Sequence, residues 1–162
     1  KLRSDMDQVF TAFEYYQISE NTRPDTLAEE LYEDPELDWV ILITNNITNI
    51  RDQWPLSHND LNNYCLEKYG SDAGVQATHH WETHEVKDKY NRTILTDGLE
   101  VDEDFSFTYA KDDYTTVTLN PAQSVSNYNY EQKLNEEKRR IKILKKDYLP
   151  AFITDIKGII QS

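Results

Sequence analysis

The sequence predicts an α+β protein: a small helix-and-strand module, an antiparallel β-ribbon or small sheet, and a long C-terminal helix broken near Pro150. Three observations carry this. Two short, capped, apolar-faced stretches follow an aromatic segment near the start. From 76 to 119 the signal is β, with polar/apolar alternation over 76–86. After Ser126 an apolar stripe runs at helical spacing. The corresponding segments are 9–70, 71–125 and 126–162.

Residues 9–18 fit both periods, but β-branched and aromatic residues dominate 13–19 and a polar turn follows at 20–23, so a strand is expected there. Pro24-Asp25-Thr26 opens a helix whose apolar face is Leu27, Ala28 and Leu31, with Asp25 placed to cap exposed amides. Asp34-Pro35 opens a second. Its body, with Leu37, Trp39, Val40 and Ile43, is apolar nearly all round and is expected to be buried on most sides. Asn45 and Asn46 end it, since Asn tolerates left-handed φ. Trp54-Pro55-Leu56 reads as extended. A cap at 57–60 then starts a helix lined by Leu61, Tyr64 and Cys65 that stops at Gly70.

From 76 the period changes to two. Residues 91–101 read as a hairpin about Asp97-Gly98, and Phe105, Phe107 and Tyr109 stand two apart. Ser126 is placed to cap the last long helix, whose stripe is Tyr130, Leu134, Ile141, Leu144 and Tyr148. Pro150 should break it, and a shorter helix with Phe152, Ile153, Ile156, Ile159 and Ile160 follows. That apolar face exceeds what the chain can cover, which points to a partner on Ile141, Leu144, Tyr148, Phe152 and Ile156.

Composition narrows the function. A mean hydropathy of −0.80 understates the apolar surface carried by 11 Tyr and 3 Trp. A net charge of −13 argues against general nucleic-acid or anionic-membrane binding. The charge is uneven: up to Val125 there are 9 bases and 25 acids, and afterwards 8 and 5. Seven of those eight bases are Lys133, Lys138, Arg139, Arg140, Lys142, Lys145 and Lys146, a basic tail suited either to the acidic body or to an acidic neighbour. One Cys excludes a disulfide framework, and no apolar run reaches transmembrane or signal-peptide character.

Catalytic signatures are missing from the sequence. His80, Glu82 and His84 would share one strand face, as a metal requires, but no fourth ligand is signposted, so a polar strand face beside His79 is expected instead. With four Gly there is no phosphate-cradling loop, dinucleotide fingerprint or nucleophile elbow, and neither an enzyme nor a cofactor is expected. Asn46-Ile47-Thr48 and Asn91-Arg92-Thr93 match the glycosylation triplet, a pattern common by chance.

Asp25, Thr26, Leu27, Leu31, Leu37, Trp39, Val40, Asn45, Asn46 and Ile47 resemble a LysM-type motif, with Pro24 where Gly is usual and Trp54-Pro55-Leu56-Ser57 in place of the closing strand. LysM modules usually read N-acetylglucosamine polymers, which makes a peptidoglycan-binding module the alternative reading. A wider resemblance runs through Tyr32-x-Asp34-Pro35-x-Leu37-x-Trp39-Val40-Ile41-Leu42, the Asn45-Asn46 and Trp54-Pro55-Leu56 pairings, and the block from Asn127 to Leu144. These residues are similar to the baseplate wedge protein 53 family of contractile-tailed phages. The resemblance implies a LysM-like module used for assembly, with other baseplate wedge proteins as partners and no nucleic acid, membrane or small-molecule substrate. It also implies a place in the virion tail baseplate, assembled in the host cytoplasm.

Overall fold

The computed structural model describes residues 12–112 and 114–160. Its elements run β1 (Phe13–Gln17), α1 (Pro24–Tyr32), a 3-10 turn (Pro35–Leu37), α2 (Asp38–Thr44), α3 (Ile50–Gln53), α4 (His58–Tyr69) and α5 (Asp72–Gln76). There follow β2 (Thr78–Thr83), β3 (Val86–Lys87), β4 (Thr93–Leu95), β5 (Glu100–Val101), β6 (Phe107–Ala110), β7 (Thr116–Leu119) and β8 (Ala122–Ser126). Last of the described elements come α6 (Asn127–Lys138), β9 (Arg140–Leu144), a second 3-10 turn (Lys146–Tyr148) and α7 (Leu149–Ile160). The mixture is α+β, as predicted. The part of that reading on residues 9–11 lies outside the described residues.

Two compact units form, and they do not follow three consecutive segments. One takes the residues up to His58 together with those from Leu134 onward; the other takes Asn59–Lys133. The reason is strand pairing. β1 needs a second strand and finds it far along the chain, where Tyr16 stands opposite Ile141 and Phe13 opposite Leu144 in an antiparallel ladder with β9. Residues 140–144 were expected to continue a helix, because Leu134, Ile141, Leu144 and Tyr148 keep helical spacing. The same segment also alternates, with Ile141 and Ile143 between Arg140 and Lys142, and its exposure follows that alternation. Two β-branched residues and a waiting edge decide for the strand.

The first unit is a strand, two helices and a returning strand around one core. α1 starts at Pro24 and buries Leu27 and Ala28 completely. Asp25 does not cap it; Arg23 holds that position, and the Asp25 carboxylate accepts from the Thr26 amide at 2.9 Å. Asp34 does act as a cap, accepting from the Glu36 amide at 2.9 Å. The Tyr32 hydroxyl donates to the Leu144 carbonyl at 3.0 Å, tying α1 to β9, and burial pushes that phenol above its ordinary range. Trp54 is buried and its indole donates to the Thr22 carbonyl at 2.8 Å.

Within the second unit, β2 is the centre of a three-stranded antiparallel sheet in the order β5-β2-β8. The expected hairpin about Asp97-Gly98 does not pair with itself: β4 goes to β3, and β5 goes to β2. Thr83 explains this. Fully buried, its hydroxyl donates to the Thr96 carbonyl at 2.7 Å and accepts from the Leu99 amide at 3.1 Å. Gly98, at φ +77, turns so that its amide donates to the Thr83 carbonyl at 2.8 Å. The turn is thus wrapped on β2. The Asn127 amide continues the chain pairing by donating to Ala77, and Ser126 caps α6 through the Asn129 amide at 3.2 Å, as the sequence predicts.

Candidate functional site

Leu37, Leu31 and Trp39 pack on the core of the first unit, where Leu27, Val40 and Ile41 are fully enclosed. Ile43 departs from the expectation, being 50% exposed. α2 is only two turns long and buries Val40 and Ile41 on one side, so Trp39 and Ile43, one turn apart, share the outer side. Phe152 of α7 covers Trp39, their rings stacked at 6.2 Å and 21°. Ile43 stays open.

α7 has both buried and exposed apolar side chains. Leu149 anchors it in the core, and Pro150 sits in its first turn, where the missing N–H is not needed, so proline opens this helix instead of breaking a longer one. Ile153 and Ile156 are half-buried, Tyr148 is 38% exposed and Ile159 is 69% exposed. Like Ile43, these are exposed or half-exposed apolar side chains of the first unit. Two of the residues assigned to a partner are not among them: Ile141 and Leu144 are 4% and 3% exposed, inside β9 and the core. Tyr148, Phe152 and Ile156 lie on or beside α7.

The basic tail is largely spent within the chain. Lys138 donates to the Asp52 carbonyl at 2.8 Å, Lys146 pairs with Glu33 at 2.7 Å and holds that carboxyl below its usual range, and Arg140 stands 4.5 Å over the Tyr15 ring. Lys133, in the second unit, pairs with Glu82 at 3.1 Å. Arg139 is the one buried cation of the group. Its guanidinium reaches Glu20 and donates to Glu136 at 3.0 Å and to the Leu56 carbonyl at 3.1 Å. A planar fork suits this convergence, and lysine would not.

Two asparagines, Asn45 at the predicted helix end and Asn135, which the sequence does not single out, act as backbone clamps. The Asn45 amide donates to the Lys142 carbonyl at 2.7 Å while its oxygen accepts from the Lys142 N–H at 2.8 Å, holding β9 from its free edge. Asn135 does the same to Leu56, at 2.9 and 2.7 Å. Nothing in their spacing marks them. Glu131 is likewise a buried carboxylate without a sequence signal, taking bonds from Lys68 at 2.7 Å and Tyr69 at 2.8 Å; the Lys68 ammonium is held above its ordinary range by that carboxylate.

The histidine cluster forms a polar lattice. A bulge between Thr78 and His80 turns His79 onto the Tyr130 ring, at 3.9 Å, while His80 Nε2 lies 3.0 Å from Glu82. Bonds from His80 and Lys133 hold the Glu82 carboxyl below its usual range. His84 is exposed. Among the described residues no group of three or more His, Cys, Asp or Glu is arranged to hold a metal ion, and no helix is long and apolar enough to cross a membrane.

In the first unit a small α+β core holds α7 through Leu149 and Phe152 and leaves Tyr148 and Ile159 exposed. The sequence matches the Base plate wedge protein 53 family over residues 3–159, and the chain belongs to that family. It is 27% identical over 146 residues to "Baseplate wedge protein gp53" of Enterobacteria phage T4, an alignment spanning 90% of this chain and 72% of that protein. The chain is accordingly a structural component of a phage tail baseplate, located in the virion tail and assembled with other baseplate proteins.

Proposed function

We propose that this chain joins neighbouring wedge subunits by protein–protein contacts during tail assembly in the host cytoplasm, with α7 as a contact surface and no catalytic chemistry. The observation supporting this is the apolar surface of α7 and Ile43 on a first unit whose own core is already filled by Leu27, Val40, Ile41 and Ile141. Covering a side chain the size of Ile156 is worth about 1.5–3 kcal/mol, a driving force that a partner supplies. The LysM resemblance is read here as a scaffold for such contacts. Nucleic acid, membrane and small-molecule substrates have no part in this reading.

Sedimentation velocity of the chain mixed with partly assembled wedges lacking it tests the proposal. The wedge species should gain mass and begin to associate. Ile156→Asp and Tyr148→Asp, on exposed or half-exposed positions, should leave the chain folded and weaken that gain. A chain that stays free of wedges but pellets with insoluble peptidoglycan would replace this reading with the sugar-binding one.

A further inference from the structure

A chain that joins two neighbours needs more than one contact surface, and the second unit holds a ribbon with open edges. β6 and β7 form a two-stranded antiparallel ribbon, and among the described residues neither strand has a second neighbour. Their eight residues, Phe-Thr-Tyr-Ala and Thr-Val-Thr-Leu, include no charge and no proline, and the register runs from Phe107/Leu119 to Ala110/Thr116 without a bulge. Proteins blunt open edges with charge, proline and bulges among other devices, and neither of these short strands uses any of those three. A ribbon of two strands is marginal by itself in water.

The bonding phase says which amides are on offer. The Lys111 amide donates to the Thr115 carbonyl at 2.8 Å, so Lys111/Thr115 is a bonded pair, and by alternation so are Tyr109/Val117 and Phe107/Leu119. The backbone groups of Thr108, Ala110, Thr116 and Thr118 therefore face outward from the ribbon. On one surface Phe107 and Tyr109 stack at 6.0 Å beside Val117 and Leu119, all half-exposed; at the turn Tyr114 is 99% exposed, on a bend where the Asp112 carboxylate accepts from the Tyr114 amide at 3.0 Å.

Charge selects the occupant. From Glu100 to Leu119 the sequence holds six acids and one base, Lys111. A second copy adding its own ribbon would bring like charge against like, which opposes self-pairing. A basic strand meets the opposite condition. We infer that the β6–β7 ribbon is a strand-addition site that takes an extended, Lys/Arg-bearing segment of another wedge protein, bonded through the outward amides and carbonyls of Thr116 and Thr118 or of Thr108 and Ala110. This rests on the wedge-joining reading and adds a second surface to it.

The test uses the full chain with partly assembled wedges lacking it, read by sedimentation velocity and by amide hydrogen exchange. Four results are expected. Exchange at one alternate pair, 116 and 118 or 108 and 110, slows in the complex while the intervening residue is unchanged. Thr118→Pro or Ala110→Pro, whichever lies on the protected edge, weakens binding about tenfold by deleting an outward donor. Glu103→Lys with Asp104→Lys weakens it as well, and added salt weakens the unaltered chain. If the unaltered chain binds wedges but neither pair is protected and the charge-reversed chain binds equally well, the ribbon assignment is overturned while the wedge-joining reading survives. If the unaltered chain does not bind wedges, both fall.

Discussion

Asn45 offers the sharpest check on how the discontinuous first unit is held. Replacing it with alanine deletes two bonds to Lys142 and a third, at 2.8 Å, to the Ile41 carbonyl at the end of α2. A net hydrogen bond contributes about 1 kcal/mol, and water can reach the exposed Lys142 backbone, so the expected loss for Asn45→Ala is about 1–2 kcal/mol. Asn45→Asp keeps the shape and one acceptor but turns the other contact into a carboxylate facing the Ile41 and Lys142 carbonyls. It also places negative charge at a helix C-terminus, unfavourable by a further ~0.3–1 kcal/mol. Aspartate should therefore be worse than alanine, at about 2–3 kcal/mol. Urea unfolding followed by tryptophan fluorescence reads this, with Trp81→Phe as background so that Trp39 and Trp54 report the first unit. For a slope near 2 kcal/mol/M the midpoint should fall by about 1 M or more for aspartate. A midpoint for Asn45→Asp equal to or above that of Asn45→Ala would refute the clamp.

Arg139→Lys should destabilise the first unit by about 2 kcal/mol, since an ammonium cannot serve Glu20, Glu136 and Leu56 together, and Arg139→Ala by more; chemical denaturation measures both. Thr83→Val, nearly isosteric, should cost the second unit about 1–3 kcal/mol by stranding the Thr96 carbonyl and the Leu99 amide, while Thr83→Ser keeps those bonds and loses less; a calorimetric scan separates them. Glu82 gives the pH dependence. Its folded pKa lies below the ordinary 4.5, so its contribution is present above that value and is lost as pH falls through the lower, folded one. Acid titration of stability should show a shallower fall in Glu82→Gln than in the unaltered chain, and identical slopes would remove His80 and Lys133 as the cause.

The candidate surface was half legible. Phe152, Ile156 and Tyr148 are visible as an apolar excess near the C-terminus, because a helix with more apolar residues than its neighbours can cover shows in the period itself. Ile141 and Leu144 fit the same helical stripe while Ile141 and Ile143 fit an alternating strand, and five residues do not separate the two periods. Asn45, Asn135, Thr83 and Glu131 were not legible at all. Each is a polar side chain whose role exists only through a backbone or partner brought from elsewhere in the chain, such as Lys142 for Asn45.

What the sequence determined by itself was local: proline at the start of α1, left-handed Asn46 at φ 54 after α2, Ser126 capping α6, and the change of period after residue 76. Those signals act over a few residues, through backbone sterics and short hydrogen bonds, and need no distant partner. The tertiary structure alone decided that Arg140–Leu144 is a strand, that β5 leaves its own hairpin for β2, and that the first unit closes across an insertion. In each case two local conformations were open to the segment. An unpaired strand edge, or a buried hydroxyl such as that of Thr83, settled the choice by satisfying backbone groups that the alternative would have left to water.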